Sequence, residues 1–397
     1  MTYDNPLERG RHHRRMQRAA AYGSGSGSQG GGRGQLLDRE FAGRLDWVLL
    51  GACALIAIFG LLMIYSSTHN RDPKDPYFYV VRQGLAMVIG IGIFAGLIRI
   101  DYRKFRDFSM LAYILTVASL FFVLTPIGSE SKGATSWYEL PFNFQLQPAE
   151  FAKFGLIVAL AGYVNEHRGD IDPWRLTVMV GLALIPLGLV QMQPDLGTNM
   201  VLLMIVIGIL AVGGVRGRYL LALAALGATM IFAVISVGVL KEYQLARLGI
   251  GSSAETTYNV EQATAALGSG GVTGQGYLNG SQTRLGFVPE QHTDFIFTAV
   301  GEEFGFLGAS LLLVLFAVVL WRIWRIAQLA RDHYGTLVCA GVLAMFTFMI
   351  FQNIGMTLNI MPVTGIPLPF MSYGGSSLIT SCASIALVSN VYANRFN

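Results

Sequence analysis

The residues best placed to do chemistry lie where a polar segment turns into an apolar one, Pro-Glu-Gln-His-Thr-Asp followed by Phe-Ile-Phe over residues 289–297. Asp294 stands at that boundary. A carboxylate shielded there from bulk water should have a raised pKa and could serve as a general base. Alternatively, Thr293 or Asp294 caps the following helix and complements its dipole, and position alone does not decide between the two.

Two further carboxylates, Glu302 and Glu303, follow in the same apolar run, about 12–14 Å deeper if the run is helical. Carboxylates at that depth face protein or a watery cavity rather than lipid. Neighbouring residues of a helix point in different directions, so both cannot act beside Asp294, and one or both are structural. The glycine-rich segment 268–280 before them permits close backbone approach to a ligand, or is simply a flexible loop.

The predicted outer side carries few cations that could bind an anionic phosphate, among them Lys132, Lys153, Arg247 and Arg284. Lys153 follows a Gln-Pro-Ala-Glu motif, and Glu150 and Lys153 could simply pair with each other. In a Gln-Pro-Asp-Leu-Gly-Thr motif, Asp195 is explained equally well by a helix-capping turn. Further on, the proline-rich, small-residue segment 361–377 predicts an irregular stretch that lines a cavity.

The elements that must position these residues are membrane helices. Of 397 residues, 53% are hydrophobic and only 13% are charged, whereas about a quarter are charged in ordinary soluble domains. A span needs about 20 mostly apolar residues. We predict an all-α polytopic membrane protein with ten spans, near 46–66, 79–98, 107–126, 149–164, 176–191, 198–214, 218–240, 294–321, 336–356 and 372–393.

Charge distribution orients these predicted spans. With the amino terminus inside, most lysines and arginines fall in the inner loops, which is the positive-inside pattern, so both termini are predicted to be cytoplasmic. Residues 1–44 form a basic, Gly/Ser-rich tail that we expect to be disordered, and residues 45–397 form the transmembrane domain. Two external loops, about 127–148 and 241–293, are longer than connectors need to be, so the external face is the predicted working face.

From about Asp46 to Arg395 the chain resembles the RodA/FtsW (SEDS) family of peptidoglycan glycosyltransferases. The stretch 365–377 closely matches that family's signature, and the motifs around Glu150, Asp195 and Asp294 occur in the family's order. The resemblance implies a ten-helix SEDS fold that polymerises lipid II, the undecaprenyl-pyrophosphate-linked disaccharide-peptide, on the outer face of the cytoplasmic membrane. It also implies a class B penicillin-binding protein as the cross-linking partner, together with other proteins of the elongation complex.

The same resemblance makes Asp294 the essential acidic residue. Lys132, Lys153 and Arg247, or a divalent cation (Mg²⁺ or Mn²⁺), would balance the charge of the leaving diphosphate, and Gln282 and Glu290 would line the acceptor groove. The chain departs from the family at Ser136, where an arginine is common before the tryptophan. That departure weakens a phosphate role for the neighbouring loop but does not affect Asp294.

The segments 353–356 and 361–366 look more like the elongation branch, RodA, than the division branch, FtsW; a sporulation-specific relative is a further alternative. Two functions of other classes compete with polymerisation. A lipid II flippase would also use broken helices and buried carboxylates, but the chain shows no obvious internal repeat. A non-catalytic scaffold for the transpeptidase would leave Asp294 dispensable. The spans and the lack of ligand clusters argue against a nucleic-acid or soluble metal-enzyme role.

Overall fold

The computed structural model describes residues 43–71, 75–131, 134–140, 144–169, 172–222, 225 and 254–396. Four sequence predictions therefore lie wholly or largely outside the described residues: the tail 1–44, the span 218–240, Lys132 and Arg247. The described chain from Asp46 onward forms one compact unit.

Helices dominate this unit. They are α1 (Trp47–Thr68), α2 (Phe78–Leu97), α3 (Tyr102–Asp107), α4 (Ser109–Val123), α5 (Pro148–Glu166), α6 (Pro173–Met192), α7 (Leu196–Val212), α8 (Ala254–Ser269), α9 (Ser281–Leu285), α10 (Ile296–Leu329), α11 (His333–Thr357) and α12 (Gly375–Ala393).

Six of the described helices are long and apolar enough to cross a membrane by length and composition: α1, α2, α6, α10, α11 and α12. Two more apolar helices, α4 and α7, are shorter. Helix α5 is of spanning length but carries Glu150, Lys153 and Glu166. Every predicted span except 218–240 coincides with one of these nine described helices, although α10 runs eight residues beyond its predicted end.

The segment 127–148, predicted to be an external loop, corrects the all-α prediction, because it contains a small sheet. Strands β1 (Ser129–Ser131), β2 (Ala134–Leu140) and β3 (Phe144–Leu146) pair antiparallel in the order β1-β2-β3. Extended, aromatic-containing strands satisfy their backbone groups by pairing across a ladder, which a loop of this length would otherwise leave to water. The Ser136 hydroxyl donates to the Gln193 carbonyl at 3.3 Å. This bond connects the sheet to the Gln-Pro-Asp-Leu-Gly-Thr motif, which begins at Gln193 and leads into α7.

The helices pack closely where small residues meet. Helix α12 lies along α2, α11 along α7 and α10, and α10 along α1. A methyl group added to Gly90 of α2 would lie 2.9 Å from the Cys382 sulfur of α12. Such close approach is how helices associate in lipid, where burial of apolar surface no longer favours contact.

Helix α10 is interrupted at Gly305, whose φ of 65° and ψ of −162° are not helical. The glycine-rich segment 270–276 fills the gap. Gln275 and Gly276 donate their N–H groups to the carbonyls of Glu302 and Glu303 at 2.9 Å, and Phe306 donates to the Gly271 carbonyl at 2.9 Å. A broken helix at membrane depth requires such replacement partners, so this segment is a structural part of α10.

Candidate active site

Asp294 closes a tight turn at the entrance to α10. The Glu290 carbonyl accepts the N–H groups of Asp294 at 3.0 Å and Thr293 at 3.2 Å, and Glu290 itself has a left-handed φ of 47°. The cap position of α10 is Phe295, which makes no side-chain cap bond. The Thr293 hydroxyl donates to the Glu290 carbonyl, so the cap proposed for Thr293 is wrong. Asp294 is half-buried at this turn.

The backbone of Asp294 is held from α11. The buried side-chain amide of Asn353 donates to the carbonyls of Asp294 and Ile366, each at 2.8 Å. Gly365 has a left-handed φ of 71°, and a methyl group added to it would lie 3.4 Å from Asp294 Oδ2. The proline-rich segment therefore lies beside the Asp294 carboxylate, and its backbone is irregular, as the sequence predicted.

The Gln-Pro-Asp-Leu-Gly-Thr motif packs on the other side of the same segment. A methyl group added to Gly197 would lie 2.7 Å from the Thr364 carbonyl oxygen. Asp195 accepts the Thr198 N–H at 2.9 Å and the Thr198 hydroxyl at 2.7 Å, so it caps α7. The capping interpretation of Asp195 is thus confirmed.

The Gln-Pro-Ala-Glu motif joins this assembly through Gln147. Its side-chain amide donates to Asp195 at 3.2 Å, and its N–H donates to the Ser376 hydroxyl at 3.0 Å. One turn further on, Lys153 pairs with Glu150 at 2.7 Å, and both side chains are almost fully buried. The pairing that was one alternative for these two residues is therefore what the structure contains.

Glu302 positions the segment that carries Gln282. Its Oε1 accepts the Gln282 N–H at 2.6 Å, and its Oε2 accepts the Thr283 N–H at 2.9 Å and hydroxyl at 2.7 Å. Gln291 then bridges Thr283, at 2.9 Å, to Thr298 of α10, at 3.1 Å. These bonds connect α9 to the turn that ends at Asp294.

Glu303 instead faces α1, where it accepts a hydrogen bond from the Ser66 hydroxyl. Glu302 and Glu303 thus point to different partners, as helical geometry predicted. Glu302 organises the loop, and Glu303 joins α10 to α1.

An aromatic and basic cluster that sequence reasoning missed lies beside the turn. The His292 ring packs against Tyr79 and Tyr373 with centroid distances of 4.8 and 5.5 Å, and the Tyr373 N–H donates to the His292 carbonyl at 2.9 Å. Burial raises the pKa of the Tyr373 hydroxyl, and a hydrogen bond with Arg82 opposes that rise. The available signal was Arg82 itself, a cation inside an otherwise apolar predicted span.

Four sequence motifs therefore form one connected assembly that contains the half-buried Asp294 carboxylate. All four lie in the part of the chain that matches a single protein family. A family model described as a cell cycle protein of the FtsW, RodA and SpoVE type matches residues 46–397. The chain belongs to the FtsW/RodA/SpoVE family.

Curated relatives come from each branch of this family. The chain is 32% identical over 357 residues to an FtsW of Geobacter sulfurreducens, covering 88% of this chain and 95% of the relative. It is 33% identical to stage V sporulation protein E of Bacillus subtilis, covering 87% and 96%. It is also 32% identical to the peptidoglycan glycosyltransferase MrdB of Escherichia coli, covering 88% and 95%. FtsW/RodA/SpoVE membership makes this chain a glycosyltransferase.

Solved structures agree with the family fold. A chain from a peptidoglycan synthase complex that coordinates polymerization and crosslinking matches with a TM-score of 0.76 at 30% identity, covering 89% of this chain and 99% of that one. The rod shape determining protein RodA of Thermus thermophilus matches with a TM-score of 0.67 at 29% identity, covering 89% and 98%. With its apolar helices, this member of the FtsW/RodA/SpoVE family is a multi-pass membrane protein.

The structure brings three of the predicted site residues into one neighbourhood. Glu290 forms the turn that presents Asp294, and Gln282 is linked to that turn through Thr283 and Gln291. Lys153 is instead buried against Glu150 on α5. Lys132 and Arg247 lie outside the described residues. Within the described residues, Arg82 is the cation of the cluster formed with His292, Tyr79 and Tyr373.

A divalent cation would find few protein ligands in this part of the chain. Among the described residues, no three His, Cys, Asp or Glu side chains are grouped to hold a metal ion. Mg²⁺ is commonly bound by one or two carboxylates together with substrate phosphates. The described residues fit only that arrangement, in which the Asp294 or the Glu290 carboxylate at the turn would be the protein ligand.

Proposed function

We propose that this chain polymerises lipid II into glycan strands on the outer face of the cytoplasmic membrane. One observation carries the proposal: the half-buried Asp294 carboxylate lies at the junction of the family's motif segments, at the mouth of a membrane helix. A lone base suffices for this reaction, because the donor sugar already carries a diphosphate leaving group.

In the proposed reaction, Asp294 accepts the proton of an acceptor-sugar hydroxyl while that oxygen attacks the anomeric carbon of the donor sugar. The new glycosidic bond forms as the bond from that carbon to the undecaprenyl diphosphate breaks, and the diphosphate leaves as an anion. Fixed positive groups stabilise this developing charge without having to reorganise. When a divalent cation is bound with the diphosphate, it supplies the same neutralisation.

The proposed substrate contacts follow from the geometry of the turn. Glu290 and Gln282 border the approach to Asp294 and would line the acceptor groove. Arg82, held beside Tyr373, joins Lys132 and Arg247 as a proposed diphosphate-binding cation. Lys153 could bind phosphate directly only by separating from Glu150. We therefore propose that Lys153 contributes to the site as part of the Glu150–Lys153 ion pair and not by direct contact with phosphate.

We also propose ten spans with both termini in the cytoplasm and a cytoplasmic tail. The nine described helices that coincide with predicted spans support this topology, as does the basic character of the predicted inner loops. In this orientation Asp294, the sheet β1–β3 and α8–α9 share the outer side, which is where the substrate sugars would be polymerised.

For the biological role we propose cell elongation and shape maintenance, with a class B penicillin-binding protein as transpeptidase and other elongation proteins. The segments 353–356 and 361–366 support the elongation branch, and the likeness to a chain of a peptidoglycan synthase complex supports a cross-linking partner. The division and sporulation roles are the alternatives, since relatives from those branches are equally similar. Complementation separates them: the gene should restore rod shape to a strain depleted of its elongation polymerase, and restored septation instead would reassign the role.

The enzymatic test is polymerisation of lipid II by the purified protein, with and without its transpeptidase, in the presence of moenomycin to exclude unrelated polymerases. Wild type should make glycan chains, and Asp294→Asn should make none while melting at the same temperature. Asp107→Asn is the matched control, because it neutralises an exposed carboxylate of α3. Polymer from Asp294→Asn would overturn the assignment of the base. If wild type makes no polymer but moves lipid II across vesicles, the protein is a flippase.

A further inference from the structure

A polar cavity lies far from Asp294, at the opposite ends of helices that help to build the candidate active site. It has a volume of about 550 Å³ and its lining includes Arg168, Arg216, His333, Tyr219 and Asp172. Pockets for small ligands commonly fall between about 300 and 1,000 Å³. His333 begins α11, the helix that carries Asn353, and a rise of twenty residues along that helix places the cavity about 30 Å from the Asp294 turn.

The chain forms this cavity by turning sharply after two helices. Gly169, beyond the end of α5, has a φ of 81°, and Gly214, beyond the end of α7, has a φ of 83°. Glycine adopts these left-handed conformations without the strain that a side chain would add. Gly169 directly follows Arg168, and Gly214 lies two residues before Arg216. Both arginines line the cavity.

Both arginines are exposed, and neither makes an ion pair with a carboxylate of the described chain. Within the same described residues, the Nε2 atom of His333 is shielded from solvent and has no hydrogen-bond partner. The cavity therefore presents two guanidinium groups without a carboxylate partner in the described chain, and His333 at its wall carries a ring nitrogen without a hydrogen-bond partner.

Carboxylates do not cancel this positive charge. Asp172 is the one acidic side chain among the described lining residues, and one of its oxygens already accepts the Arg175 N–H at 2.9 Å as the cap of α6. Asp332, next to His333, accepts the Gly335 N–H at 2.8 Å and faces Arg103 at 3.6 Å. The described lining of the cavity thus carries a net positive charge.

We propose that the Arg168–Arg216 cavity is a binding site for a phosphate group. Guanidinium groups bind phosphate oxygens through paired, charge-assisted hydrogen bonds, and the Tyr219 hydroxyl completes the donor set. The phosphate can belong to a lipid headgroup or be free in solution, since the cavity chemistry is the same for both. This site is distinct from the proposed reaction centre and does not depend on its chemistry.

Binding is measured with the full chain in dodecyl maltoside micelles, which contain no phosphate, titrated with dioctanoyl phosphatidylglycerol or with inorganic phosphate and followed by native mass spectrometry. Dioctanoylglycerol, which lacks the phosphate, is the ligand control. The test variant is Arg168→Gln with Arg216→Gln, and Arg325→Gln, an exposed arginine of α10 outside the cavity, is the matched control. Asp172→Asn, which retains a capping side chain, removes the one lining carboxylate.

The expected result is saturable binding that falls about tenfold or more in the double variant, stays unchanged in Arg325→Gln and strengthens in Asp172→Asn. Binding of phosphatidylglycerol but not inorganic phosphate identifies a lipid headgroup, and comparable competition by inorganic phosphate identifies a free anion. The proposal is overturned if dioctanoylglycerol binds equally well, if no probe binds, or if the double variant binds as tightly as Arg325→Gln.

Discussion

Asn353 fixes the backbone on which Asp294 stands: one side-chain amide group donates 2.8 Å hydrogen bonds to the carbonyls of both Asp294 and Ile366. Asn353 is fully buried on α11, fifty-nine residues from Asp294 along the chain. Through this single side chain, the turn before α10 and the proline-rich segment keep a constant separation, and the Asp294 carboxylate faces Gly365.

Replacing Asn353 by Ala should lower both stability and turnover. Two buried carbonyls would lose their donor, which costs about 1–3 kcal/mol for each group left unsatisfied. The matched control is Gln352→Ala, because Gln352 is the adjacent buried amide and donates to the Pro362 carbonyl at 2.7 Å without touching Asp294. Denaturant unfolding in micelles and lipid II polymerisation measure the two effects. Equal turnover in the two variants would contradict the positioning role of Asn353.

Gly365→Ala should reduce kcat by more than its loss of stability accounts for. Its left-handed φ of 71° strains any side chain by about 1–2 kcal/mol, and the added methyl group would stand 3.4 Å from Asp294 Oδ2, where we propose that the substrate approaches. Gly286→Ala is the control, since Gly286 has a φ of 69° with open space around it. We expect similar losses of stability in both variants but a loss of turnover of about tenfold or more only for Gly365→Ala. Matching polymerisation rates would show that nothing approaches Asp294 from this side.

The Glu150–Lys153 pair should behave as a buried unit. Lys153→Met alone leaves the buried Glu150 carboxylate without its partner, and it should lower the free energy of unfolding by about 3–5 kcal/mol. Adding Glu150→Gln removes the unpaired charge and should restore much of that loss. The exposed Arg106–Asp107 pair is the comparison, and Asp107→Asn should change stability by less than about 1 kcal/mol. A double-mutant cycle measures the coupling. Additive effects of the two changes would mean that the ion pair is not maintained in the membrane.

Gly274→Ala should destabilise the protein far more than Gly271→Ala. Both glycines have left-handed φ angles, but a methyl group on Gly274 would lie 2.2 Å from the Glu303 carbonyl oxygen, while one on Gly271 meets open space. Overpacking adds about 1–3 kcal/mol to the strain that both variants share. Unfolding in micelles compares the two. If they unfold alike, the segment 270–276 does not stay inserted in the α10 break.

Local composition was enough to predict the nine described helices that coincide with predicted spans, and the place of Asp294. Insertion into a membrane depends on the apolarity of each run of about 20 residues, a property that can be read without knowing any partner. The boundary between polar and apolar sequence likewise placed Asp294 beside the start of α10. The resemblance of four ordered motifs led to the family, which the match over residues 46–397 then showed.

Only the tertiary structure decided which side chains act together. Glu303 bonds to Ser66, 237 residues away, and Asn353 joins two segments that are distant in sequence from each other. Arg82 reaches the candidate site because α2 packs against α12, and the sheet forms because its strands find one another. Hydrogen bonds and ion pairs depend on distances of about 3 Å between groups, and such distances between remote residues follow from how helices pack rather than from local sequence.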